Sequence, residues 1–273
     1  MFNLSISTDE VPMRRADAPS PVFTGPFAAR ILGLDGFRDL EWPIAACQPM
    51  AREAEPNVIR TRRWYPSSEV EGVPVAHPAL VLRHLGVNER VLKQAVSVDG
   101  IEPLDRIEFA IEHVLRDRTA TIRQMRLRGS RSDGDRLLHA ALDRREDTPP
   151  TESYAETKTA QLFRSMGLRP WRQMHVVSET GRYLYRTDFV LPFRRQPKPT
   201  LLLPHHGVLV EIYGRAFHEG TFEADHARQT TYDRLGFHWL TFTANQIAHD
   251  RKNVGLAIES VMATAQRQWR RAA

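Results

Sequence analysis

The chain is 273 residues long, 41% hydrophobic and 26% charged, enough apolar material for the cores of two ordinary domains or one large one. No stretch approaches the roughly 18 to 20 apolar residues of a membrane span, the start lacks the basic head and apolar middle of a secretory signal, and the single Cys47 excludes an intramolecular disulfide framework. Thirty-eight Lys and Arg against 33 Asp and Glu leave a formal charge of +5, mostly arginine, which permits nucleic-acid binding without demanding it. A cytoplasmic protein with no membrane partner is expected.

Residues 1–22 are polar and Pro-rich, and a poorly ordered tail is expected there. Pro26–Leu34 reads as a helix closed by Gly33 and Gly36. Between 41 and 75 the chain is Pro-punctuated, with short β-like runs such as Asn57–Tyr65. His77–Gly86 puts Pro78 near a helix start and glycine at its end. Another helix is expected near Pro103–Arg116, where Ile107, Ala110, Ile111, Val114 and Leu115 share a stripe. Thr119–Arg128 and Asp133–Arg144 read as two more. The region 23–148 is thus expected to be mainly helical with a small β component.

Arg144–Pro150 is charged and then proline-broken, which marks a domain boundary. The second domain, 151–273, begins with a helix over Ser153–Met166, stopped by Gly167. Strands follow at Arg172–Ser178 and Arg182–Leu191, around the turn signal Glu179-Thr180-Gly181, and at Gly207–Tyr213. A helix over Phe222–Leu235 ends at Gly236, then come the strand Phe237–Thr243 and a helix over Arg251–Trp269. The order α-β-β-β-α-β-α gives a mixed sheet flanked by helices, and the chain as a whole is α/β (α+β).

Two carboxylates lie inside these strands, where acids are depleted and rarely buried unless paired or bound to metal. Asp188 sits in Tyr185–Pro192 and Glu211 in Val208–Gly214. By strand alternation Glu211 shares a face with Leu209 and Tyr213, and Asp188 opposes Phe189 and Leu191. Glu156, on the preceding helix, borders the apolar stripe of Thr159, Leu162, Phe163 and Met166 at roughly 70°. An acid from a helix and one from each of two strands suit a divalent-metal nuclease. A carboxylate-held Mg²⁺ neutralises phosphoryl charge and supplies a nucleophile near neutral pH.

Plainer roles compete. Ser153-x-x-Glu156 is also a capping box, Asp188 could pair with Arg186 or Arg182, and Asp225 with Arg228 fits an i,i+3 ion pair. His218 could act as general base or contact phosphate, or be a solvated loop residue. His205, His206, His218 and His226 lack zinc-ligand spacing. The basic stretch Phe193–Pro199, with Arg194, Arg195 and Lys198, could touch a DNA backbone or be a plain exposed loop.

Ser153-x-x-Glu156, Arg186-Thr187-Asp188-Phe189, the run Val210–His218, Phe222-x-x-Asp225-x-x-Arg228 and the run Leu235–Thr243 occur in that order. The series, over about residues 151–260, resembles the Vsr-like endonuclease domains of the PD-(D/E)XK superfamily. In particular it looks like the form fused behind an AbiEi-type antitoxin or transcriptional-regulator region. Thr24–Gly33 and Gly72–Leu82 resemble two helices of that region, while the winged-helix segment that usually precedes them is not recognisable.

The resemblance implies a restriction-endonuclease-like fold and a Mg²⁺- or Mn²⁺-dependent endodeoxyribonuclease, in phage defence or DNA repair. Asp188 and Glu211 would bind metal, Glu156 would support it directly or through water, and Tyr213 or His218 would orient the nucleophile. Arg194, Arg195, Lys198, Arg215 and Arg228 would contact DNA. A homodimer and a toxin partner also follow as expectations. The chain departs from the superfamily pattern at Tyr213, where relatives carry Lys or Asp. A phenol with a pKa near about 10 orients water but is a poor base at neutral pH. Lys158 does not substitute, since two helical residues from Glu156 turn it about 200° away. The alternative expectation is an inactive nuclease fold serving as an antitoxin-like DNA-binding regulator or protein-interaction module.

Overall fold

The computed structural model describes residues 22–49, 58–61, 66–126, 133–145, 148–178, 180–194, 197–214 and 222–272. The chain divides into two compact units, Met1–Arg145 and Glu146–Ala273, inside the charged, proline-broken stretch that marks the boundary in the sequence. Both are mixed α and β. Among the described residues no helix is long and apolar enough to cross a membrane. The tail expected over 1–22 lies outside the described residues except for Val22, which opens the first strand.

The first unit contains β1 (Val22–Phe23), α1 (Gly25–Ile31), β2 (Ala46–Pro49), β3 (Val58–Thr61), β4 (Ser67–Val70) and β5 (Val73–Ala76). Then come α2 (Pro78–Val87), α3 (Glu89–Asp99), α4 (Pro103–Arg116), α5 (Ile122–Arg126) and α6 (Asp133–Arg144). The strands form one mixed sheet in the order β3-β2-β1-β5-β4. Helix α3 is absent from the sequence reading because Leu92 and Ala95 are its only fully buried residues, too narrow a stripe to stand out. Helix α4 buries Ile107, Ala110, Ile111 and Val114 as its periodicity predicts. It also buries charge: Glu112 Oε1 accepts from Arg145 Nε at 3.1 Å, and Asp99 Oδ1 from Arg106 Nη2 at 2.6 Å.

The second unit runs α7 (Tyr154–Ser165), β6 (Trp171–Val177), β7 (Tyr183–Pro192), β8 (Gly207–Tyr213), α8 (Phe222–Arg234), β9 (His238–Thr243), α9 (Ala244–His249) and α10 (Arg251–Ala272). The sheet order is β6-β7-β8-β9, antiparallel up to β8 and parallel between β8 and β9. Helix α8 makes the crossover that parallel pairing requires. One apolar cluster joins Phe163 of α7 and Ile258 of α10 to Phe189, Leu191, Val208, Val210 and Ile212. A second joins Tyr232 of α8 and Phe237 to Trp171, Met174, Val176, Val190 and Leu209. Strand β8 feeds both clusters, which is why it reads as a nearly continuous apolar run. Glu211 is the one charge in it.

Gly207 starts β8 hard against β7. A Cβ there would stand 2.2 Å from the Leu191 carbonyl oxygen, a backbone atom with little room to yield. Gly207→Ala is expected to destabilise the protein by about 1–3 kcal/mol, the usual cost of overpacking. Urea denaturation checks this, and an unchanged midpoint would show that the strands part freely.

Candidate functional site

The β7–β8 ladder runs from Pro192↔Gly207 to Phe189↔Val210 and stops. The next partners in that register are Asp188 and Glu211, so the two acids stand across from each other where main-chain pairing ends. The Ile212 N–H donates to Asp188 Oδ2 at 2.8 Å, so a carboxylate rather than a carbonyl satisfies that donor. Toward β6 the position opposite Asp188 is Gln173, and this pair is missing too, between Arg172↔Phe189 and Met174↔Thr187. Gln173 has φ +53°, a left-handed conformation uncommon outside glycine.

Side-chain alternation slips on both strands at this point. Trp171 and Met174, an odd number of residues apart, join one apolar cluster, and so do Tyr185 and Val190. Because both strands slip together, the register survives. Phe189, Val190 and Leu191 keep their alternation, so the slip on β7 lies between Tyr185 and Val190, and a one-residue slip moves a side chain to the other face. Irregularities of this kind re-aim side chains near active sites.

Glu211 is buried, and two side chains of α8 hold it. Tyr232 Oη donates to Oε1 at 2.6 Å, and Arg228 Nη1 approaches Oε2 at 3.5 Å. Arg228 thus pairs with Glu211 and lies 5.4 Å over the Tyr185 ring, in place of the i,i+3 bridge to Asp225 suggested by spacing.

Glu156 is the cap that the sequence allows, and more. The Glu156 N–H donates to Ser153 Oγ at 3.1 Å, and Ser153 Oγ donates back to Glu156 Oε1 at 3.0 Å. Glu156 Oε2 accepts from the Glu152 N–H at 2.9 Å and from Gln173 Nε2 at 3.1 Å. Arg186, one of the two arginines suggested for Asp188, pairs instead with Glu152.

Burial pushes the Glu156 carboxyl up to about 7, and the neighbouring Asp188 charge adds to the shift. Burial and the Glu211 charge likewise push Asp188 up to about 7. Burial raises Glu211 as well, against the opposing pull of Tyr232 and Arg228. The three acids therefore form one electrostatic group linked through Asp188, raised first by burial and, at Glu156 and Asp188, further by a neighbouring acid.

This has a sign in pH. An acid whose pKa is higher folded than unfolded holds its proton more tightly in the folded state. Its contribution is complete below about pH 4 and is lost as pH rises toward about 7. In chelator, Glu156→Gln is expected to raise the melting temperature relative to wild type, increasingly so from about pH 5 to about pH 8. A constant difference across that range would show that Glu156 is not held protonated by the fold.

Among the described residues no group of three or more His, Cys, Asp or Glu side chains is arranged to hold a metal ion. The three-acid set Glu156, Asp188 and Glu211 is therefore not preformed, because Glu156 already accepts three hydrogen bonds. Mg²⁺, however, is usually held by one or two carboxylates rather than a full protein cage. Asp188 and Glu211 hold opposite positions in the β7–β8 register, and burial raises both carboxyls. The buried Gln173 Oε1 has no hydrogen-bond partner among the described residues. These hard oxygen donors fit a hard divalent cation.

The other sequence candidates divide. The Tyr213 hydroxyl accepts from Gln229 Nε2 at 3.3 Å, and burial raises its pKa further, so the phenol stays protonated at neutral pH. Lys158 lies 5.2 Å over the Tyr154 ring. Arg194 is exposed, 5.5 Å over the Trp269 ring, and Lys198 Nζ donates to the Arg172 carbonyl at 3.1 Å. His218, Arg195 and Arg215 lie outside the described residues.

Two residues of the site go unnoticed in the sequence. Tyr232 carries a usable signal, since it stands one helical turn after Arg228 and shares its face. Gln173 carries none, because nothing in Trp171–Val177 announces a left-handed residue. No family model matches the chain, and neither a curated protein nor a solved structure matches it.

Proposed function

We propose that the second unit is a Mg²⁺- or Mn²⁺-dependent endonuclease of the Vsr-like PD-(D/E)XK type that hydrolyses DNA phosphodiester bonds. The observation that supports this most is the pair Asp188 and Glu211, opposite each other in register at the end of the β7–β8 ladder, both raised by burial and Asp188 also by the Glu211 charge. The cation would be held by these two carboxylates, and it supplies charge neutralisation at phosphate and a more acidic water. Tyr232 and Arg228 fix the orientation of Glu211, as partners of metal-binding carboxylates commonly do. Glu156 supports the site indirectly, through Gln173. Tyr213 donates a hydrogen bond and orients water or phosphate, while a phenol with a raised pKa does not take the proton. Arg194 would add a sequence-independent contact to the DNA backbone. The first unit would be the AbiEi-like region, and a homodimer or a toxin partner belongs to the same reading.

A second reading has one specific observation in its favour. Both Glu211 oxygens already have partners, Tyr232 and Arg228, as suits an inactive nuclease fold acting as an antitoxin-like DNA-binding regulator or interaction module. The full chain incubated with supercoiled plasmid separates the two. Nicking is expected with Mg²⁺ or Mn²⁺, with none in chelator and none by Asp188→Ala or Glu211→Ala. Plasmid binding without nicking in either metal would favour the second reading.

A further inference from the structure

We infer that Gln173 is a metal-positioning residue, offering its side-chain carbonyl oxygen to the divalent cation held by Asp188 and Glu211. The inference rests on the reading of those two acids as metal ligands. Three features of Gln173 converge on it.

The first is place. Asp188 has one neighbour across each flanking strand, Glu211 on β8 and Gln173 on β6, and main-chain pairing is interrupted at both. Gln173 therefore flanks Asp188 on the side that Glu211 does not.

The second is orientation. At ordinary resolution the two ends of an amide are told apart only by their partners. Here Gln173 Nε2 donates to Glu156 Oε2 at 3.1 Å, the orientation that the ionised form of Glu156 requires. The carbonyl oxygen is then the end of the amide not bonded to Glu156. Glu156, itself pinned by Ser153 and the Glu152 N–H, fixes that choice. This gives a buried helix cap a reason to be buried.

The third is the oxygen itself. Gln173 Oε1 is buried without a hydrogen-bond partner among the described residues. Proteins rarely leave such an atom unsatisfied, and each instance calls for a reason. The same residue also carries a left-handed backbone, so two unfavourable features coincide on one side chain, as happens where a site is preorganised. A neutral carbonyl oxygen is a hard ligand suited to Mg²⁺ and Mn²⁺. It adds coordination without adding charge.

The test is Mn²⁺ affinity of the full chain at neutral pH, by titration calorimetry and by the loss of free-ion Mn²⁺ paramagnetic resonance signal. Gln173→Met keeps the length and removes the oxygen. It is expected to weaken Mn²⁺ binding about 10–100-fold, with a melting temperature in chelator no lower than wild type. Gln173→Glu, which restores an oxygen at that position, is expected to bind Mn²⁺ no more weakly than wild type. A merely structural Gln173 gives the opposite pattern, a lower melting temperature in chelator with unchanged affinity, and that result overturns the inference. If Asp188→Ala abolishes Mn²⁺ binding while Gln173→Met binds as wild type does, the two-acid site stands and Gln173 is no part of it. If wild type binds no Mn²⁺, the metal reading fails and takes this inference with it.

Discussion

Asp188→Asn is expected to reduce metal-dependent strand cleavage by about 10³-fold, the scale of losing one preorganised electrostatic element of an active site. The substitution is chosen to separate charge from structure. Asparagine keeps an oxygen that can accept the Ile212 N–H, so the bond at the end of the β7–β8 ladder survives. What disappears is the charge at the centre of the acidic group, coupled to Glu156 on one side and Glu211 on the other. The same variant should therefore melt higher than wild type in chelator near pH 8, where the unsubstituted acids repel one another. Stability bought at the expense of activity is the signature of a functional carboxylate. Parallel measurement of nicking rate and melting temperature checks both halves. A variant that nicks as fast as wild type would remove Asp188 from the chemistry.

The largest expected effect on stability lies in the first unit. Glu112 and Arg145 are both buried, and Arg145 Nε donates to Glu112 Oε1 at 3.1 Å. Arg145→Ala would remove the guanidinium that donates to the buried Glu112 carboxylate, a loss of about 3–5 kcal/mol. Removing both charges together is a different matter, because neither then remains to be solvated. The double variant Arg145→Met with Glu112→Leu is expected to recover most of the loss. Urea denaturation followed by circular dichroism reads both proteins. Equal destabilisation by the single and double variants would mean that packing around Arg145, and not its charge pairing, is what matters there.

Much of the second unit is legible from residues alone. Alternating and apolar runs bounded by Gly and Pro place β6, β7 and β8, and strand β8 matches Gly207–Tyr213 at both ends. Ser153 and Gly167 bracket α7 by capping chemistry, and Glu156 is both the cap residue and a member of the acidic group. Two things escape the sequence for physical reasons. Helix α9 is a single short turn-rich segment whose capping box, Thr243 with Gln246, reads in sequence as the end of a strand. The coordinated slip at Gln173 and Asp188 is set by tertiary packing on two strands at once, so neither strand alone reveals it.

The acids themselves were visible because a carboxylate in an apolar strand is costly wherever it points. Their division of labour was not. Glu156 looks equivalent to Asp188 and Glu211 in sequence, yet its oxygens are occupied by Ser153, the Glu152 N–H and Gln173. Tyr213, two residues after Glu211, bonds to Gln229. The positive charge nearest Glu211 among the described residues comes from Arg228 on α8.

The central claim is that Asp188 and Glu211 together hold a divalent cation. Its most direct test is Mn²⁺ titration calorimetry of the full chain beside Glu211→Ala, each shown by its melting curve to be folded. Saturable Mn²⁺ binding by wild type, lost in Glu211→Ala, is the predicted result. No binding by wild type, or equal binding by the two, would contradict it.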